Sequence, residues 1–179
     1  MKNTLKTLPL LALSLLLAAS LAHAQFGSPT GTTTVTVTIG PMAGLNITNS
    51  STPLALSGTN FTGSTGLSYF VRTTTTGGGG SITLKVTSDF ACGGGPCVTT
   101  PPSSGDALTY TCTVATPGTP CTGTQTASTT ATTNVATFAT NVHTSTSGST
   151  ASVAWTLTND PTYKTGTYNA TVTFTISAS

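Results

Sequence analysis

Glutamate is absent from this 179-residue chain, and charged residues of every kind make up only 4% of it. The acids are Asp89, Asp106 and Asp160; the bases are Lys2, Lys6, Arg72, Lys85 and Lys164. So thin a set of cations excludes a nucleic-acid surface, which needs several Lys or Arg side by side to neutralise phosphates. The acids are spread along the chain, one just past a strand, one at the start of another and one in a turn. That placement fits Asx turn chemistry better than the facing carboxyl pair of a glycosidase or the acidic loop of a calcium site. Only one histidine, His143, follows residue 24, and no G-x-S-x-G elbow accompanies it. A nucleophilic triad therefore has no visible nucleophile. The runs Gly77–Gly80 and Gly93–Gly95 are not followed by Lys-Ser/Thr, so neither reads as a phosphate loop. No enzymatic activity, cofactor or metal site is expected.

Long apolar runs are missing too, except at the start. Lys2 and Lys6 precede an apolar stretch from Leu8 to Leu21, and Ala22-His23-Ala24 follows as an A-x-A cleavage site. This three-part order is that of a secretory signal peptide over residues 1–24. The apolar run falls short of the roughly 20 residues of a spanning helix, so no transmembrane segment is expected after cleavage. From Gln25 onward three bases, Arg72, Lys85 and Lys164, face three acids, and the mature chain is formally neutral. The expected location is extracellular, on the cell surface or in the periplasm.

Export gives the cysteines a meaning. Cys92, Cys97, Cys112 and Cys121 are even in number and lie beyond the leader, where an oxidising compartment favours pairing. Three connectivities are open; Cys92–Cys97 with Cys112–Cys121 is favoured, because each pair closes a short Gly-, Pro- or Thr-rich loop. A four-thiolate zinc site fits poorly, since such ligands sit in pairs only about two to four residues apart.

What is abundant is threonine, 44 of the 155 residues from Gln25 on. Thr is β-branched and favours a pleated strand over a helix. The apolar residues between the threonines recur with a period of two, not 3.6, which separates a folded β-domain from a low-complexity stalk. Alternating runs fall at Thr33–Ile39, Gly44–Asn49, Leu67–Arg72, Ser81–Ser88, Ala107–Val114, Thr133–Thr140, Thr150–Thr158 and Thr167–Ser177. About eight short strands without crossover helices predict a single all-β domain over 25–179, an immunoglobulin-like antiparallel β-sandwich. Ala115–Thr132 reads as a long loop tied by Cys121, and Gly77–Gly80 as a hairpin tip. Trp155 alternates with Val153 and Leu157 and is expected in the core. Tyr163, in a turn, is the one aromatic placed for surface contact.

The termini stand apart. Val35, Val37 and Ile39 near the start, and Tyr168, Val172, Phe174 and Ile176 near the end, form alternating segments. Such segments either complete their own sheet or add to a neighbour's. A near-neutral, Thr-rich surface opposes association with little repulsion.

The final stretch, Trp155-Thr-Leu-Thr-Asn-Asp-Pro and then Gly166-Thr-Tyr-Asn-Ala-Thr-Val-Thr-Phe-Thr-Ile, resembles the closing strands of bacterial secreted β-sandwich proteins of the spore coat protein U and pilin-like group. The resemblance implies export, a sandwich fold and, for some members, fibres built by lending a terminal strand to the next subunit. Unlike chaperone–usher pilins, this chain ends Ser177-Ala178-Ser179 without an aromatic residue near the C-terminus. The expected function is a non-enzymatic secreted or surface structural protein, a fibre or pilus-like subunit associating through terminal strands with itself or other surface proteins. The alternative is an adhesin or carbohydrate-binding module using loops such as Ser57–Gly66 and the region around Tyr163.

Overall fold

A computed structural model describes residues 32–179; the expected signal peptide lies outside the described residues. Ten strands form, and no helix occurs among the described residues. They are β1 Met42–Ile47, β2 Ala55–Ser57, β3 Asn60–Arg72, β4 Gly80–Ser88, β5 Thr109–Val114, β6 Thr119–Pro120, β7 Gln125–Thr126, β8 Thr133–Phe138, β9 Ser149–Thr158 and β10 Thr171–Ala178. All pair antiparallel in two sheets. One sheet has six strands, ordered β1-β3-β9-β5-β7, with β2 also on β3; the other has four, ordered β10-β4-β8-β6. Residues Ile39–Ser179 form one compact unit, and this is the antiparallel β-sandwich that the alternation predicts.

Each long strand sends its odd-spaced apolar residues inward. Leu67, Tyr69 and Val71 of β3, Ile82, Leu84 and Val86 of β4, and Val153, Trp155 and Leu157 of β9 are buried in one core. Their partners in alternation on the outer faces are Thr, Ser, Lys or Ala, with Phe70 of β3 the one large apolar exception, so strand pattern and sheet packing have one cause. Full burial of a Leu, Ile or Val contributes about 1.5–3 kcal/mol, which makes these rows the main source of stability.

Five sequence expectations need correction. The expected strand Thr33–Ile39 is not one: residues 32–40 carry no strand, and β1 begins only at Met42. Gly40-Pro41 lies between them, and proline removes a ladder donor at the point where pairing would continue. Gly77–Gly80 is not a hairpin tip, because β3 and β4 belong to different sheets and the glycines carry the chain from one to the other. The Ala115–Thr132 loop contains two short strands, β6 and β7, that pair with β8 and β5. Tyr168 and Ala170 precede β10 rather than lying in it. Ser57–Gly66 is not a loop: Ser57 pairs with Asn60 around Gly58, whose φ of 62° suits the first position of a two-residue hairpin turn, and the rest is β3.

The cysteines form Cys92–Cys97 and Cys112–Cys121, with Cα atoms 4.9 and 5.5 Å apart. The first closes a loop after β4; the second ties β5 to the residue following β6. On the chain-entropy account each short loop stabilises by roughly 2–3 kcal/mol through the unfolded state.

Beneath the sandwich's inner face, the Trp155 indole N–H donates to the Thr65 hydroxyl at 2.8 Å, and that hydroxyl lies 2.7 Å from the Thr52 hydroxyl. Thr65 is buried although polar. Thr65→Val strands the indole N–H without a partner, and the expected loss is about 1–3 kcal/mol in chemical denaturation. Emission from Trp155, the only tryptophan in the chain, reports the change directly. An unchanged midpoint contradicts this assignment.

Candidate functional site

The two sheets do not match in width, and the mismatch falls at one border. β1 and β2 form a broken edge on β3, joined by residues 48–54, while β10 is the edge of the smaller sheet and packs toward β1. Between them opens a cavity of about 930 Å³. Its floor is core side chain: Phe61, Leu108, Trp155 and Leu157. One wall is Ile47 with the linker through Leu54, and the other is residues 163–172 with Phe174.

The linker wall is fixed by close backbone approach. Thr48 N–H donates to the Gly66 carbonyl at 3.0 Å. A Cβ on Gly63 would stand 2.6 Å from the Pro53 carbonyl oxygen and 2.8 Å from Leu54, so only glycine lets this segment lie on β3.

β10 presents the opposite wall. Val172, Phe174 and Ile176 face inward but stay half-buried, where Leu67, Tyr69 and Val71 of β3 and the inward apolar residues of β4 and β9 are closed over. One border of β10 bonds to β4; along the other, no strand pairs with it among the described residues. Thr171–Ala178 contains no charge and no proline, the usual means by which an exposed edge is blunted.

The remaining sequence-predicted residues divide. Val35, Val37 and Ile39 are 90%, 78% and 66% exposed, in unpaired chain. Thr34–Ile39 reads Thr-Val-Thr-Val-Thr-Ile and Thr171–Ile176 reads Thr-Val-Thr-Phe-Thr-Ile, so the two differ only at Val37 and Phe174. The exposed segment thus repeats the pattern of a strand that does pair. Tyr168 has a different task from the one expected. Its hydroxyl donates to the Lys164 carbonyl at 2.8 Å and its ring lies over Gly95, where a Cβ would collide with it. Lys164 N–H donates to the Gly94 carbonyl at 2.7 Å, so residues 164–168 dock on the Cys92–Cys97 loop.

Tyr163 is half-buried and lines the groove, while its hydroxyl is turned into the protein, buried and without a hydrogen-bond partner. Burial, then the charge of Asp106, pushes it up to about 12. Trp155 is in the core, as its alternation indicates. His143 is exposed in a bridge with Arg72. Asp89, Cys92 and Cys97 cluster, but both sulfurs are spent in the disulfide, so the group offers no thiolate to a metal. Sequence reasoning missed the groove itself and the pairing of Asp106 with Asp160. The first arises from strand order, and the second joins residues 54 positions apart, neither of which a local pattern encodes.

Comparison with protein-family models, with curated proteins and with solved structures returns no match.

Asp89 anchors the cysteine loop that backs the groove wall. Its carboxylate accepts backbone N–H groups of Phe90, Val98 and Thr99 at 2.7, 2.8 and 2.8 Å, and the Thr99 hydroxyl at 2.7 Å. Burial works to raise this carboxyl, but the donors outweigh it and hold it below its ordinary value. A lowered carboxyl contributes stability above the unfolded value of about 3.9 and loses it as pH falls toward the folded one. Asp89→Asn is therefore expected to cost on the order of 1–3 kcal/mol at pH 7 and to flatten the acid limb of the melting profile. An Asn variant as stable and as acid-sensitive as the parent contradicts this.

Proposed function

We propose that the chain is a non-enzymatic, exported structural subunit that assembles with copies of itself by strand addition. The observation that carries this reading is that one chain holds both an open, uncharged edge on β10 and an exposed segment, Thr34–Ile39, with the same alternating pattern. A strand from a second copy laid along β10 gains ladder hydrogen bonds from the backbone and places Val35, Val37 and Ile39 toward the half-covered row Val172, Phe174 and Ile176. Alternate side chains set the register, as in other cases of strand addition. The threonines between them remain outward, where hydroxyls tolerate water or a neighbouring subunit.

The two disulfides support an oxidising, exported location, as does the leader-like start of the sequence. No helix of the described residues is long and apolar enough to cross a membrane. Near-neutral charge removes most of the repulsion that would oppose dense packing of subunits.

Val37→Asp places a carboxylate in the centre of the donor row while leaving the core of the sandwich untouched. The expected outcome is a folded monomer with an unchanged melting temperature and no filaments by electron microscopy, and light scattering at one subunit's mass. Filaments in this variant equal to those of the parent sink the donor assignment; absence of filaments in both sinks assembly.

A further inference from the structure

The groove wall formed by residues 163–172 is preceded by a turn that carries one of a pair of buried acids. Asp106, at the start of the turn into β5, is 3% exposed, and Asp160, at the end of β9, is 9% exposed. Ser103 joins them, its hydroxyl donating to the Asp160 carboxylate at 2.8 Å and its carbonyl accepting the Asp106 N–H at 3.2 Å, and the two carboxyls and the Tyr163 hydroxyl act on one another there. Asp160 is well served: one oxygen accepts Thr162 N–H at 2.7 Å and the other the Ser103 hydroxyl at 2.8 Å. Asp106 is not. Its Oδ2 is buried with no hydrogen-bond partner. A buried carboxylate oxygen without a donor costs several times a lost neutral hydrogen bond, and two adjacent anions add repulsion. The Tyr163 hydroxyl, equally unpartnered and beside it, is a neutral donor in reach of Asp106, but it leaves the repulsion between the two acids in place. A proton on Asp106 removes that repulsion, because the carboxylic acid then donates to Asp160.

From this geometry we infer that Asp106 and Asp160 share a proton, and that this proton clamps the wall of the groove to the Ser103–Asp106 turn and is released on ionisation. The inference rests on the groove being the acceptor of a strand, and assigns it a regulator: closed when acidic, loosened when neutral. No cation relieves the pair among the described residues. Asp106 responds to burial first and then to Asp160, both raising it, with Tyr163 and the Ser103 backbone opposing. Asp160 is held well below the usual range by the Thr162 backbone N–H first, then the Thr162 and Ser103 hydroxyls. Lys164, next in sequence to Tyr163, lies over Gly94 instead. A bound divalent cation fits less well. Asp160 already spends both oxygens on donors, the Thr162 N–H and the Ser103 hydroxyl.

A raised carboxyl contributes stability that is fully present below the unfolded value of about 3.9 and is lost as pH rises through the folded value. Asp160 and Asp89, both lowered, run the opposite way, so the test is a difference between variants. With three side-chain carboxyls in the chain, carbon-13 titration of the aspartates resolves each one. The expected order of midpoints is Asp160 lowest and Asp106 highest. Asp106→Asn, which keeps a donor toward Asp160 but cannot ionise, is expected to gain melting temperature relative to the parent as pH rises from 4 to 7. Amide exchange at Thr162, Tyr163 and Lys164, corrected for intrinsic pH dependence, is expected to speed up over the same range in the parent and not in the variant. Asp160→Asn is expected to lower the Asp106 midpoint, by reciprocity. Asp106 titrating with or below Asp89 overturns the proposal, as does a difference between Asp106→Asn and parent that is constant with pH. Calcium that raises the parent's melting temperature but not the variant's overturns it in favour of a cation site. These readouts are made on the dilute monomer, so they stand or fall separately from filament formation.

Discussion

A strand at the border of a sheet leaves half of its backbone donors and acceptors without a ladder partner, and in water this costs little until another strand arrives. The sandwich described above places such a border where it matters most. Six strands face four, the wider sheet is split between β1 and β2, and β10 ends the narrower one beside the split. The core side chains that a further strand would cover, Val172, Phe174 and Ile176, are therefore left half-covered, whereas the inward apolar rows of β4 and β9 are buried. Groove, open edge and incomplete burial are one fact seen from three sides.

Around that border the chain spends its few unusual residues. Gly63 lets the linker through Leu54 lie on β3, and Gly95 lets the Tyr168 ring seat on the cysteine loop. Asp89 gathers the N–H groups of that loop, and the Cys92–Cys97 bond closes it. Trp155, Thr65 and Thr52 form a hydrogen-bonded chain under the floor. The walls are thus held by covalent, polar and steric constraints, and the cavity between them does not depend on long flexible side chains. With its wall clamped, such an acceptor loses little entropy when a strand enters, which favours affinity without a large contact area.

The sandwich itself was legible because period-two alternation is a local property. Val153, Trp155 and Leu157 announce the core face of β9 with no knowledge of what lies opposite, and the same holds for β4 and β10. The same signal misled at Thr33–Ile39, where alternation is as clean as in β10 but no neighbouring strand completes the ladder. Alternation states that a segment is fit to be a strand; pairing decides whether it is one. The candidate site was mostly illegible for a related reason. Tyr163 looked like a turn aromatic because its neighbours are Pro161, Thr162 and Lys164, yet its hydroxyl is buried and feels Asp106 from the turn before β5. Asp106 and Asp160 each looked like ordinary turn residues, and only the closure of the sandwich brings them together.

The most direct measurement is hydrogen exchange along β10, compared between dilute monomer and assembled protein. Alternate amides of Thr171–Ala178, those directed away from β4, are predicted to exchange freely in the monomer and to become protected on assembly. Amides directed toward β4 are predicted to be protected in both. Uniform protection along β10 in the monomer, or free exchange of the outer amides after assembly, contradicts an open edge that a second copy fills.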